Sequence, residues 1–249
     1  MLTCHRICTG VNINVVDVTG DAAPRPVREA PYHHGDLRNA LVRASAQLAE
    51  IGGPAAVTVR AAARAVGVTA TAAYRHFNGH EELLAAVHDQ AAAALFEALD
   101  GAMKKVPEQA DPTATAIARL ATAGRAYIEY VDRERGLFRT AFCGSDIDVQ
   151  KDVREDPIFL LIGRGLDALV AVGFMDPRQR PGAEFTAWAT VHGLATLIID
   201  APLADAEEAE REAAIRHAIA TVLRGFATGP NAEPYRSTDP HIALGPAHT

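Results

Sequence analysis

The chain has 249 residues, of which 49% are hydrophobic and 22% are charged, and its formal net charge is −7. No window approaches the roughly 18 uninterrupted apolar residues of a membrane helix, so we expect a soluble protein with no membrane partner. Three cysteines, Cys4, Cys8 and Cys143, form an odd set that fits a reducing cytoplasm better than a disulfide framework.

The charge is unevenly distributed along the chain. Residues 22–84 carry seven basic and five acidic residues, a net charge of +2, whereas residues 85–249 carry a net charge of −8. A basic segment beside an acidic remainder suggests that the N-terminal part contacts a polyanion and the rest does not.

Residues 1–31 contain Gly and Pro without a sustained period and are expected to be a disordered lead. A helix is predicted from Asp36 to the Gly52-Gly53-Pro54 break. Its inner face is expected to carry apolar residues spaced by three and four: Leu37, Leu41, Ala44, Leu48 and Ile51.

Two short helices follow, joined by a turn at Gly67. Thr58 is predicted to be the N-cap of the first helix and Thr69 that of the second, which is predicted to finish near Phe77. A longer helix is then predicted over residues 80–101. Its buried stripe is expected to consist of Leu84, Val87, Ala91, Leu95 and Ala98.

The stretch GVTATAAYRHF, residues 67–77, predicts a helix-turn-helix. Gly67 permits the positive φ of the turn, while Ala73 and Phe77, four residues apart, face the core. Ala70 and Thr71 leave the leading end of the helix slender enough for a major groove about 12 Å wide, where methyl and hydroxyl groups meet base edges. The phenol of Tyr74 and the imidazole of His76 would then reach phosphates at the walls of the groove.

The remainder of the chain is also predicted to be helical. Helices are expected near residues 112–132, 137–142, 157–172, 183–200 and 207–227, followed by a disordered tail over residues 229–249. Since no β-type alternation of useful length occurs, the predicted fold class is all-α.

Residues 58–84, TVRAAARAVGVTATAAYRHFNGHEELL, resemble the DNA-binding domain of the tetracycline-repressor (TetR) family of bacterial transcriptional regulators. The resemblance implies that Thr58, Tyr74 and His76 contact phosphate and that Arg60, Ala70 and Thr71 face bases. Two further residues, Thr69 and His80, complete the set of expected DNA contacts. His80 is a departure, because the family usually has Lys there, so this phosphate contact is either absent or dependent on pH.

Residues 187–200, AWATVHGLATLIID, resemble the Trp-x-x-x-His-Gly motif of one effector-domain subclass of that family. The resemblance implies a homodimer in which helices 183–200 and 207–227 pack against their symmetry mates. Trp188 and His192 share a helix face and either line a ligand cavity or fill the core. The same two alternatives hold for the other candidate ligand-binding residues, Phe138, Phe142 and Phe159.

Enzymatic and metal sites are not indicated. The sequence has no G-x-S-x-G, Walker A or H-E-x-x-H motif, and Cys4 with Cys8 lacks the second ligand pair that structural zinc requires, so no cofactor is expected.

The predicted function is that of a ligand-responsive repressor. Residues 32–84 would bind a palindromic double-stranded operator, and residues 85–228 would dimerise and bind a small-molecule effector. The helix at 80–101 would link the two parts. The alternative is a helical dimer that binds a ligand or a protein partner without binding an operator.

Overall fold

The computed structural model describes residues 37–142, 153–200 and 202–236. In these ranges the regular structure is helical and no strand occurs, which confirms the all-α prediction. The predicted lead at residues 1–31, all three cysteines and residues 237–249 lie outside the described residues. The α-helices are α1 (Leu37–Gly52), α2 (Val59–Val66), α3 (Ala70–Tyr74), α4 (His80–Lys105), α5 (Pro112–Arg133), α6 (Arg135–Phe142), α7 (Pro157–Ala171), α8 (Ala183–Asp200), α9 (Glu208–Phe226) and α10 (Glu233–Arg236).

One hydrophobic core lies among α1, α2, α3 and the first half of α4. Phe77, Leu41 and Leu83 are among its largest fully buried side chains. The predicted α1 stripe is wrong at its end, because Ile51 is 88% exposed and Ala49 is buried instead. Residues two apart on a helix point to nearly opposite sides, so only one of the two can face the core.

The buried stripe of α4 differs from the predicted one at both ends. Leu83 and Leu99 are buried, whereas Leu84 and Ala98 are only half-buried. The stripe therefore repeats at intervals of four along Leu83, Val87, Ala91, Leu95 and Leu99. The helix also continues to Lys105, past the predicted end at Gly101, because a helix tolerates an interior glycine at a modest cost.

A second core lies among the C-terminal half of α4 and helices α5, α7, α8 and α9. Phe138, Ile128, Leu166 and Ile198 are almost completely buried there. Half-buried ion pairs join the helices at the edge of this core. Arg125 of α5, for example, donates two hydrogen bonds to the carboxylate of Glu212 on α9, at 2.9 and 2.6 Å.

Helix α6 contributes to both cores. Leu137 and Ala141 belong to the first core and Phe138 belongs to the second, while Phe142 packs against both. Because α4 also passes through both cores, two helices connect the first core to the second.

The chain is helical from Pro230 to Arg236, although a disordered tail is predicted from Gly229 onward. Residues Pro230–Ala232 form a 3-10 turn and α10 follows directly. The Asn231 N–H donates to the carbonyl of Gly173 (2.9 Å), and the Tyr235 hydroxyl donates to the carboxylate of Asp111. The prediction of disorder is therefore wrong for residues 229–236, where backbone groups after α9 pair with the loop between α7 and α8.

None of the described helices is both long enough and apolar enough to cross a membrane.

Candidate nucleic-acid interface and ligand cavity

Helices α2 and α3 are joined by a short turn with the geometry of a helix-turn-helix. Gly67 has φ of 79°, in the left-handed region that glycine adopts without steric cost, and the Val68 N–H donates to the carbonyl of Ala63 (2.9 Å). Ala73 and Phe77 are buried, at 0% and 1% exposure, and they hold α3 against the first core. The turn and the two core contacts fix the direction of α3.

Each of the two helices begins with a threonine cap, as predicted. The Thr58 hydroxyl accepts a hydrogen bond from the Ala61 N–H (3.0 Å), and the Thr69 hydroxyl accepts one from the Ala72 N–H (3.2 Å). These caps stabilise helices that are too short to persist alone.

The residues predicted to contact DNA lie mainly on the surface. Tyr74 is 43% exposed, although it is aromatic and close to the core. Thr58, Arg60, Thr69, Thr71 and His80 are also exposed, and Ala70 and His76 are half-buried. An exposed leading end on a short helix with a buried opposite face is what insertion into a major groove requires.

Two basic residues near this surface were not singled out in the sequence. Arg75 is exposed directly after α3, and the guanidinium of Arg38 lies over the ring of Phe77, with Cζ 4.9 Å from the ring centroid. The sequence could have indicated Arg75 as a candidate DNA contact, because it lies within the Y-R-H-F motif. The position of Arg38 depends on how α1 packs against α3, which a local motif does not contain.

An acidic residue, Glu82, accepts two hydrogen bonds at the N-terminus of α4. The backbone N–H and the side-chain amide of Asn78 both donate to Glu82 Oε2, at 2.8 and 2.9 Å. His80, the first residue of α4, remains exposed beside this pair.

Four of the five predicted ligand-binding residues form one aromatic cluster. The Phe138 ring centroid lies 5.1 Å from that of Phe142 and 5.4 Å from that of His192, and the Trp188 and His192 centroids are 5.4 Å apart. Phe159 is separate and packs on Phe185, at 4.9 Å. The rings of the cluster contact one another directly, so the cluster is a packed part of the core.

His192 is also joined to α5. Its Nδ1 lies 2.8 Å from the hydroxyl of Tyr127, and burial lowers the pKa of its imidazole below the ordinary value of 6.5. His192 is therefore neutral at neutral pH.

A narrow cavity of about 40 Å³ lies beside the aromatic cluster. None of the five predicted ligand-binding residues lines it, but Tyr127, which bonds to His192, does. The residues around the cavity come from five helices: Leu99, Leu120, Ala121, Ala123, Gly124, Tyr127, Ile162, Ala187, Thr190, Val191, Ile219, Val222 and Leu223.

Two protein-family models match the sequence. Residues 41–87 match the model of bacterial regulatory proteins of the tetR family, and residues 120–222 match a tetracyclin repressor-like C-terminal domain. The matches cover 47 and 103 residues, or 150 of the 249 together, which is more than half of the chain. No curated protein matches the sequence.

Solved structures share the fold over most of the chain. A protein of unknown function from Rhodococcus sp. RHA1 is 26% identical, with a TM-score of 0.64 over 80% of this chain and 100% of that one. A putative tetR family transcription regulator from Shewanella sp. PV-4 is 15% identical, with a TM-score of 0.58 over 77% and 98%. PfmR, a TetR family regulator from Thermus thermophilus, is 21% identical, with a TM-score of 0.52 over 74% and 97%.

Proposed function

Since the chain belongs to the tetracycline-repressor (TetR) family of DNA-binding transcriptional regulators, we propose that it is a repressor that leaves its operator when a small molecule binds. The observation that carries the proposal is the exposed, slender leading end of α3 on a buried support of Ala73 and Phe77. The proposed location is the cytoplasm, where the operator lies. No catalytic step is proposed for the DNA-binding part or for the larger helical part.

The proposed operator contacts divide into two sets. Ala70, Thr71 and Arg60 face base edges in the major groove, where small methyl groups and a guanidinium distinguish base pairs. The second set contacts phosphate and orients the protein on the duplex: Thr58, Thr69, Tyr74, His76 and His80.

A homodimer is proposed from the outer faces of α8 and α9. On α8 the exposed residues Thr186, Ala189, Gly193 and Leu197 recur at spacings of three and four. On α9 the exposed residues recur at a spacing of four: Ala213, His217, Thr221 and Gly225. Small side chains allow close helix approach, so two copies of this pair of helices can form an isologous four-helix contact.

Dimerisation sets the spacing of the two DNA-reading helices. In a two-fold dimer the two copies of α3 would enter successive major grooves about 34–36 Å apart on a palindromic operator. The residues predicted for the dimer contact lie on different helices from the DNA-binding residues, so the two functions are separable by mutation.

The small molecule would act by changing how the two cores sit relative to each other. Helices α4 and α6 both pass between the cores, so a displacement in the second core would reorient α1–α3. Moving the operator-competent population from about 99% to about 1% requires roughly 5.5 kcal/mol of differential ligand affinity. Burying about 200 Å² of apolar ligand surface yields about 5 kcal/mol in total, so both protomers need to be occupied.

A mobility-shift assay on the DNA upstream of the chain's own gene tests the proposal. The purified protein should retard this DNA and should not retard a scrambled duplex of equal length at the same salt concentration. Failure to distinguish the two would favour the other candidate, a helical dimer that binds a ligand or protein partner without an operator.

A further inference from the structure

We infer that the molecule sensed by this protein is uncharged and largely apolar, and that it binds in the cavity beside Tyr127. The inference rests on the proposed function, since it names the class of ligand that the regulator would respond to. The proposed binding site does not include the five ligand-binding residues that the sequence indicated.

The lining of the cavity excludes a charged ligand. None of its thirteen residues carries a carboxylate or a basic side chain, and eleven of them are apolar. An ion that enters an apolar site loses its hydration without a compensating partner, at a cost of several kcal/mol. A neutral molecule avoids that cost.

The two polar residues of the lining, Tyr127 and Thr190, offer only hydroxyl groups for hydrogen bonding. The Thr190 hydroxyl donates to the carbonyl of Thr186 (2.9 Å), and the Tyr127 hydroxyl is paired with His192 Nδ1. The Thr190 oxygen, which already donates its proton, can still accept a hydrogen bond. The cavity therefore suits a ligand with at most one or two weakly polar groups.

Charged residues near the cavity are occupied elsewhere. Arg125 follows the cavity-lining Gly124 in the sequence, but its guanidinium is held by Glu212 through two hydrogen bonds. His192 is neutral because burial lowers the pKa of its imidazole. Neither residue offers the cavity a free cation that would attract an anion.

The size of the cavity limits the ligand and suggests how binding is sensed. A volume of about 40 Å³ holds roughly three water molecules, so a ring enters only if the walls separate. Tyr127 is the wall that also contacts the aromatic cluster, through His192 and through the ring of Phe138 at 6.3 Å. Because Phe138 lies on α6, a movement of Tyr127 that widens the cavity would displace α6, one of the two helices that join the cores.

Gly124 provides the test of location. A Cβ added at this position would lie 3.4 Å from Val191 Cγ1 and 3.6 Å from the side chain of Ile219, which is ordinary contact. Gly124→Ala therefore fills part of the cavity without a clash. Gly101→Ala is the matched control, since it also replaces a helical glycine, and apart from its chain neighbours and the backbone of its own helix no described heavy atom lies within 4 Å of its added Cβ.

The experiment uses the full-length protein without DNA and three probes of similar shape: benzyl alcohol, benzoate and benzylamine, which is a cation at neutral pH. Calorimetric titration and thermal unfolding should show benzyl alcohol binding at least about tenfold more tightly than either ion. Gly124→Ala should weaken the binding of benzyl alcohol several-fold, and Gly101→Ala should leave it as in the parent protein.

Three results would overturn the inference: binding of an ion as tightly as the alcohol, equal effects of the two glycine substitutions, or no binding of benzyl alcohol at all. The proposed function is tested separately, by operator retardation. A protein that binds the alcohol at Gly124 but retards no operator would refute the regulatory role and leave the cavity assignment intact.

Discussion

Glu50 at the end of α1 caps the start of α6, since its Oε2 accepts a hydrogen bond from the Leu137 N–H at 3.0 Å. The adjacent Gly136 lies so close to α1 that an added Cβ would be 2.4 Å from the carbonyl oxygen of Ala49. A carboxylate at a helix N-terminus and a glycine at a backbone crossing thus hold α6 against the DNA-binding part. This contact between α1 and α6 is a second connection between the two cores, in addition to α4.

Replacing Gly136 with alanine tests this contact between α1 and α6 directly. The added methyl group would overlap backbone atoms of Ala49 and Glu50, which do not rotate away as a flexible side chain would. We expect the free energy of unfolding to fall by about 1–3 kcal/mol, the usual cost of overpacking. Urea unfolding of the variant measures this change.

The control for Gly136→Ala is Gly101→Ala on α4. In a helix interior alanine is favoured over glycine by up to about 1 kcal/mol, so the control should be as stable as the parent protein or more stable. Equal stability of the two variants would show that α6 does not rest on α1 in solution.

Local chemistry explains why the helix-turn-helix could be predicted from the sequence. The two threonine caps and the positive φ of Gly67 depend on residues within three or four positions, so a short motif contains everything that forms them. Ile51 shows the limit of such patterns. Its spacing fits the helical stripe, but the packing partner that would bury it is absent at that end of α1 among the described residues.

The cavity could not be predicted in the same way. The sequence draws attention to large rings such as Trp188 and Phe138, which are the residues that fill space. A cavity is lined where small and aliphatic residues from distant segments meet, as Gly124, Thr190 and Leu223 do here. None of these residues is conspicuous alone, so their meeting is visible only in the folded chain.

The DNA-binding surface predicts different outcomes for two substitutions. Tyr74→Phe removes a hydroxyl proposed to contact phosphate, so affinity should fall by a similar factor for the operator and for unrelated DNA. Arg60→Ala removes a proposed base contact and should relax the preference at one operator position by about 1–3 kcal/mol. Competition binding with single-base operator variants at fixed salt measures both effects. Unchanged affinity of Tyr74→Phe would show that α3 is oriented differently on the duplex.

The dimer proposal predicts that a large charged side chain on the outer face of α8 separates the protomers. Gly193 is exposed, and apart from its chain neighbours and the backbone of α8 no described heavy atom lies within 4 Å of its added Cβ, so Gly193→Arg should not disturb the fold of one chain. We expect light scattering to give the mass of a monomer and operator affinity to fall at least about tenfold, because the two half-sites are no longer linked. Ala93→Arg, on an exposed position of α4, is the control and should remain dimeric. A dimeric Gly193→Arg protein would place the interface elsewhere.

Burial of His192 predicts a pH dependence of stability. Its pKa is lowered in the folded chain, so below its ordinary value of 6.5 the unfolded chain binds the proton more readily than the folded one does. Stability attributable to this group is therefore present above pH 6.5 and is lost as the pH falls toward the folded pKa. Urea unfolding between about pH 7.5 and about pH 5.5 should show a decline that His192→Gln reduces, whereas His80→Gln, which removes an exposed imidazole, should retain it. An equally steep decline in His192→Gln would mean that protonation of this imidazole does not oppose folding.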